Sequence, residues 1–87
     1  MNTVSNARKN ILLVDDDVDF IEQNKFRLEK SGFTVMVANS MAEAEKLYDQ
    51  TPIDLAVIDV MLEYADAGFI LCYHLKKKNP RLPVIIV

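Results

Sequence analysis

Asp54-Leu55-Ala56-Val57-Ile58-Asp59 is an apolar run of strand length that delivers a carboxylate at its C-terminal end. A run this short, with β-branched Val57 and Ile58 inside it, fits a strand buried on both faces, as in a parallel sheet covered by helices. An ionised Asp at the tip of such a strand is costly unless something compensates it. In open α/β sheets that tip is also where ligands bind. Asp59 is therefore the first candidate for chemistry, against the plainer reading in which it only caps the following turn. The same grammar occurs upstream, where Ile11-Leu12-Leu13-Val14 runs straight into Asp15-Asp16-Asp17.

Between and after these two runs the pattern alternates. From Val18 to Ser31 the apolar Phe20, Ile21 and Leu28 fall on one helical stripe with Asn24 inside it, Asp17 is placed to cap the helix, and Gly32 stops it. Phe26 lies off the stripe and reads as a single exposed aromatic. Phe33 to Ala38 predicts a strand, and Ser40-Met41-Ala42-Glu43 has the spacing of a capping box. Ala44, Leu47 and Tyr48 continue that helix until Thr51-Pro52. Residues 53–59 make the third strand, Val60 to Ala67 a loop holding Glu63 and Asp66, and Gly68 to Lys78 a third helix. In it Phe69, Leu71, Cys72 and Leu75 are expected to face inward, with Tyr73, His74 and Lys76-Lys77-Lys78 in water. After Asn79-Pro80, Leu82 to Val87 is a fourth strand. The order β-α-β-α-β-α-β implies a parallel sheet with right-handed crossovers, wound both ways from its first strand.

The 87 residues suit one small domain, expected over 10–87, with residues 1–9 as a loose polar tail. A composition 51 % hydrophobic and 26 % charged fits a globular chain, and a net charge of −3 argues against nucleic acid as a direct partner. No apolar run reaches membrane-spanning length, and the first ten residues lack the apolar core of a signal peptide. Cys72 is the only cysteine, so no internal disulfide is possible. A cytoplasmic location is the expectation. Only Gly32 and Gly68 are present, which excludes a glycine-rich phosphate loop.

If the first and third strands are neighbours, Asp15, Asp16 and Asp59 converge on one shallow pocket. Two carboxylates about 4 Å apart repel by roughly 4 kcal/mol at an effective dielectric near 20, so three need a cation. Oxygen ligands on a partly open site suit Mg²⁺. His74, the only histidine, lies among the lysines of the third helix and reads as a solvent-facing side chain. Two chemistries use such a cluster: metal-assisted phosphate hydrolysis, and phosphoryl transfer onto a nucleophilic carboxylate.

These residues resemble the receiver domain of two-component response regulators. Ile11 to Asp17 is similar to that family's first strand and acidic pair, and Asp54 to Leu62 to its third strand and phosphoacceptor loop. Asp66-Ala67-Gly68-Phe69 resembles the start of its third helix, and Leu82-Pro83-Val84-Ile85-Ile86-Val87 its fourth strand. The resemblance implies a flavodoxin-like α/β fold, doubly wound, with strand order 2-1-3-4. It implies that Asp59 accepts a phosphoryl group from a sensor histidine kinase or phosphotransfer protein and so regulates a downstream output, without the chain being an enzyme. It also implies Mg²⁺ held by Asp15, Asp16, Asp59 and the backbone carbonyl of Met61.

Two departures stand out: Glu63 occupies a position where the family usually has Pro, and Asp59 to Gly68 spans nine positions against the usual eight. The family's switch Ser/Thr would follow Val87, with a Lys, a fifth strand and two helices beyond. The expectation is thus an incomplete receiver, truncated after the fourth strand, whose uncovered apolar strand drives self-association. The rival readings are a Mg²⁺-dependent phosphatase with a nucleophilic Asp, disfavoured by Met61 two residues after Asp59, and a receiver-like interaction module without a working switch.

Overall fold

Seven elements alternate along the chain in the computed structural model, which describes residues 8–87. They are β1 (Asn10–Val14), α1 (Val18–Lys30), β2 (Thr34–Ala38), α2 (Met41–Gln50), β3 (Leu55–Ile58), α3 (Ala67–Lys78) and β4 (Val84–Ile86). The strands form one parallel sheet in the order β2-β1-β3-β4. This is the doubly wound arrangement expected from the alternation. Of the tail expected over residues 1–9, the first seven residues lie outside the described ones, and the Lys9 carbonyl accepts the Thr34 N–H at 2.9 Å.

The helix ends follow local chemistry. Asp17 caps α1 by accepting the Asp19 and Phe20 N–H groups at 3.0 and 3.3 Å. At the other end Gly32 takes φ +100°, which lets its N–H and that of Phe33 reach back to the Glu29 and Leu28 carbonyls. Ser40 Oγ accepts the Glu43 N–H at 3.1 Å, while Glu43 reaches back to the Asn39 N–H, one residue before the cap, at 2.8 Å. At the foot of the sheet Asp54 leaves the expected third strand and exchanges two bonds with the Asn10 backbone: its N–H donates to the Asn10 carbonyl and its carboxylate accepts the Asn10 N–H.

The two faces differ. Leu12, Val14, Ala38, Ala56 and Ile58 form the core with Ala44 of α2, with Ala67, Leu71 and Leu75 of α3, and with Leu62 and Leu82. On the opposite face α1 packs on β1 and β2, and none of its residues is fully buried. Phe20, Ile21, Asn24 and Leu28, the expected stripe, are half-buried, and Asn24 donates to the Phe20 carbonyl at 2.8 Å. Phe26 is 64 % exposed, with the Lys30 ammonium over its ring.

Helix α3 departs from the expected orientation. The apolar pattern places Phe69 inward, but it is 55 % exposed; the residues that meet the sheet are Ala67, Gly68, Leu71 and Leu75. Small residues at the first turn let the helix approach the β3 tip closely, and that rotation turns Phe69 out. Nor is the far face of α3 left to water alone. His74 Nδ1 lies 3.3 Å from Glu45 of α2, the Lys78 ammonium donates to Asp49 at 2.8 Å, and Lys76 donates to the Leu82 carbonyl.

No helix among the described residues is long and apolar enough to cross a membrane.

Candidate functional site

The site is assembled by the pairing of β1 with β3. Ladder bonds continue one residue past each strand: the Asp15 N–H donates to the Ala38 carbonyl at 3.1 Å, and the Asp59 N–H to the Val14 carbonyl at 2.9 Å. Asp15 and Asp59 are thereby fixed side by side at the C-terminal edge of the sheet. Asp16 stands at the turn into α1, on the solvent side, while Asp17 is taken up by capping. Asp15, Asp16 and Asp59 bring carboxylate oxygens within 4.8 Å of one another. The convergence expected from the sequence is present.

Asp15 is the buried member, 5 % exposed. Its carboxyl is held above the usual carboxylate range by burial first and by the facing carboxylates of Asp59 and Asp16, against the Asp17 N–H that donates to it at 2.9 Å. Among the described residues no ion pair involves any of the three. A cluster of three carboxylates with one buried and none neutralised is chemically suited to a hard divalent cation, and its all-oxygen donor set matches Mg²⁺. A cleft of about 420 Å³ opens beside Asp15 and Asp16 between α1 and β2, lined also by Lys25, Asn39 and Glu43.

The loop after Asp59 is tied closely to the site. The Met61 N–H donates to Asp59 Oδ1 at 3.1 Å, which sets the backbone of Met61 beside the carboxylate while its side chain is 64 % exposed. Gly68 donates to the Val60 carbonyl at 2.9 Å, and a Cβ on Gly68 would overlap the Asp59 carbonyl oxygen and stand 2.6 Å from the Val60 Cα. Only glycine fits there. Asp66, just before α3, takes φ +67°, a conformation that Asp tolerates better than most residues.

One contact at this loop was not legible in the sequence. Glu63 Oε1 accepts the Met41 N–H at the start of α2, at 2.7 Å. An acid near a helix N-terminus is a familiar signal, but Glu63 lies 22 residues from its partner and no local spacing announces it. Tyr64 adds a longer contact from its hydroxyl to the Met41 sulfur at 3.8 Å.

Comparison with known proteins agrees with this geometry. The family model for the response regulator receiver domain matches residues 11–87. The chain belongs to that family. It is 34 % identical over 79 residues to the alkaline phosphatase synthesis transcriptional regulatory protein PhoP of Bacillus subtilis, covering 91 % of this chain and 32 % of PhoP. The receiver spans only about a third of that relative. Among solved structures, the non-phosphorylated HemR receiver domain of Leptospira biflexa superposes with TM-score 0.83 at 38 % identity, over 91 % of this chain and 63 % of HemR. TrrA of Thermotoga maritima, solved with Mg²⁺ and BeF, gives TM-score 0.82 at 27 % identity over 90 % of this chain and 67 % of TrrA. TrrA has also been solved in complex with the histidine kinase ThkA. The flavodoxin-like sheet order and the receiver resemblance are thus both borne out, and receivers are as a family signalling modules of two-component systems rather than enzymes.

Proposed function

We propose that this receiver is a phosphoacceptor module in which Asp59 is the acceptor and Asp15, Asp16, Asp59 and the Met61 backbone carbonyl hold Mg²⁺. The observation that carries the reading is the convergence of three carboxylates within 4.8 Å at the tips of two adjacent strands, with no cation paired to them among the described residues. Asp59 is suited to the nucleophilic role because it is half-buried and its Oδ1 already accepts the Met61 N–H, which fixes the rotamer and leaves the other oxygen to react. Asp15 and Asp16 supply negative charge beside it, which in the free protein opposes approach of a phosphoryl dianion. Bound Mg²⁺ supplies the countercharge that lets phosphoryl oxygens enter.

In the transfer, Asp59 forms a P–O bond as the P–N bond of a phosphohistidine donor breaks, the leaving imidazole nitrogen keeping the electron pair. The product is an acyl phosphate on Asp59. The donor is a sensor histidine kinase or a phosphotransfer protein, as the TrrA–ThkA complex suggests by analogy. The location that goes with such a donor is the cytoplasm. The acidic balance makes direct contact with nucleic acid by these residues unfavourable. Self-association through the thinly covered β4 is the other partner relation that we propose, for a polypeptide of these 87 residues.

Incubation with a small phosphodonor and Mg²⁺, followed by borohydride trapping and mass spectrometry, tests the assignment. The expected label is on Asp59 alone and disappears in Asp59→Asn. A label on Glu63 or Asp66 overturns it.

A further inference from the structure

Segment 60–66 has to hold the Met61 backbone next to Asp59, and it is tied at its start: the Val60 N–H donates to the Val87 carbonyl at 3.0 Å and the Val60 carbonyl accepts the Gly68 N–H at 2.9 Å. Leu62 is fully buried, but Met61, Glu63, Tyr64, Ala65 and Asp66 are exposed. Eight residues separate Asp59 from Gly68. Besides the packing of Leu62 in the core, the segment's side-chain hydrogen bonds among the described residues are those to Met41: the short bond from the Met41 N–H to Glu63 and the longer Tyr64 contact. Glu63 is placed to hold well. Its carboxylate faces the positive end of the α2 macrodipole. Nor does it compete for that end, because Ser40 takes the Glu43 N–H and Glu43 itself turns back to Asn39.

We infer that Glu63 is a positioning residue for the metal and acceptor site: by accepting the Met41 N–H it pins segment 60–66 to the start of α2 and so fixes the Met61 backbone beside Asp59. This rests on the metal-binding reading above.

The test is a Mg²⁺ titration of the intact protein followed by backbone amide shifts, with wild type, Glu63→Ala, Glu63→Gln, Ser40→Ala and Asp59→Asn. Glu63→Ala should weaken Mg²⁺ binding by roughly tenfold, at the low end of what loss of a supporting hydrogen bond costs a metal site. Its Met41 amide should exchange faster than in wild type. Glu63→Gln keeps an oxygen acceptor and should bind Mg²⁺ close to wild type. Ser40→Ala frays the same helix end without touching the loop, and should leave Mg²⁺ affinity unchanged. A Glu63→Ala variant that titrates like wild type overturns the tether, as does a Ser40→Ala variant that is weakened equally, since helix fraying would then be the cause. Those results leave the metal site standing if Asp59→Asn abolishes binding. A wild type without a Mg²⁺ response brings down the site and the tether together.

Discussion

Among the described residues, the side of the sheet under α2 and α3 is closed by two helices that also pack on each other, and the side under α1 by one helix. On the first, Leu71 and Leu75 of α3 and Ala44 of α2 are fully buried against Leu12, Val14, Ala56 and Ile58. On the second, Ile11, Leu13 and Val35 are buried, but Val57 is only half-buried and Ile85 of β4 is 49 % exposed. These residues share that side because the register pairs Leu13 with Val57 and Val57 with Ile85. Simple widths account for the difference. Four strands spaced about 4.8 Å apart span roughly 14 Å, whereas one helix with its side chains is only about 10 Å wide. α1 lies over β1 and β2, so β4 is left without cover among the described residues. Burial of a strand is thus decided less by its own sequence than by how many helices share its face.

The largest expected effect comes from cutting each face to alanine. Leu71→Ala opens a cavity under α3 and should cost about 2–5 kcal/mol, while Leu28→Ala on half-buried α1 should cost about 1 kcal/mol. Urea denaturation of both variants checks this, and equal losses would break the comparison between the faces. The next effect concerns association. A large aliphatic side chain left in water forgoes about 1.5–3 kcal/mol, and an edge strand with an apolar face is a template for another chain. A polypeptide of these 87 residues should therefore self-associate, and Ile85→Lys should shift it toward monomer without unfolding it. Sedimentation equilibrium across a concentration series decides the point; a wild-type monomer at high concentration would mean that α1 covers more than its position suggests.

What was legible in the sequence follows the same division. The order of elements, the caps at Asp17 and Ser40 and the meeting of Asp15, Asp16 and Asp59 all depend on local pattern or on strand order, and both are written in short stretches of chain. The facing of α3 was not. Phe69-Ile70-Leu71-Cys72-Tyr73 is apolar without a break, so periodicity cannot choose between Phe69 and Leu71. The choice is made by Gly68, whose missing Cβ lets the helix start against the Asp59 backbone. Likewise the bonds from Glu63 to α2, and from His74 and Lys78 to Glu45 and Asp49, join residues at least 22 apart, where sequence spacing carries no signal.

β1 is the strand on which both faces depend, buried from Ile11 to Val14, and it ends in the one buried carboxylate of the described residues. The smallest expected change is at that carboxylate, and its sign is opposite to the others. Asp15 has its carboxyl raised above the ordinary 3.8 by burial and by the adjacent Asp59 and Asp16. The folded protein therefore binds this proton more tightly than the unfolded chain does. The stabilising contribution is complete below the unfolded value and is lost as pH rises through the raised one. At neutral pH, without a cation, the ionised Asp15 is a burden on β1. Asp15→Asn should then leave the metal-free protein slightly more stable at neutral pH, and flatten the part of its stability profile that falls as pH rises above about 4. Mg²⁺ should stabilise wild type and do little for the variant, because binding to the folded state alone adds stability only where the ligands remain. Thermal melts with and without Mg²⁺ measure both. If Asp15→Asn is less stable than wild type in the absence of metal, then the Asp15 carboxylate earns its place in β1 through the Asp17 N–H bond, and repulsion at the site is weaker than the geometry implies.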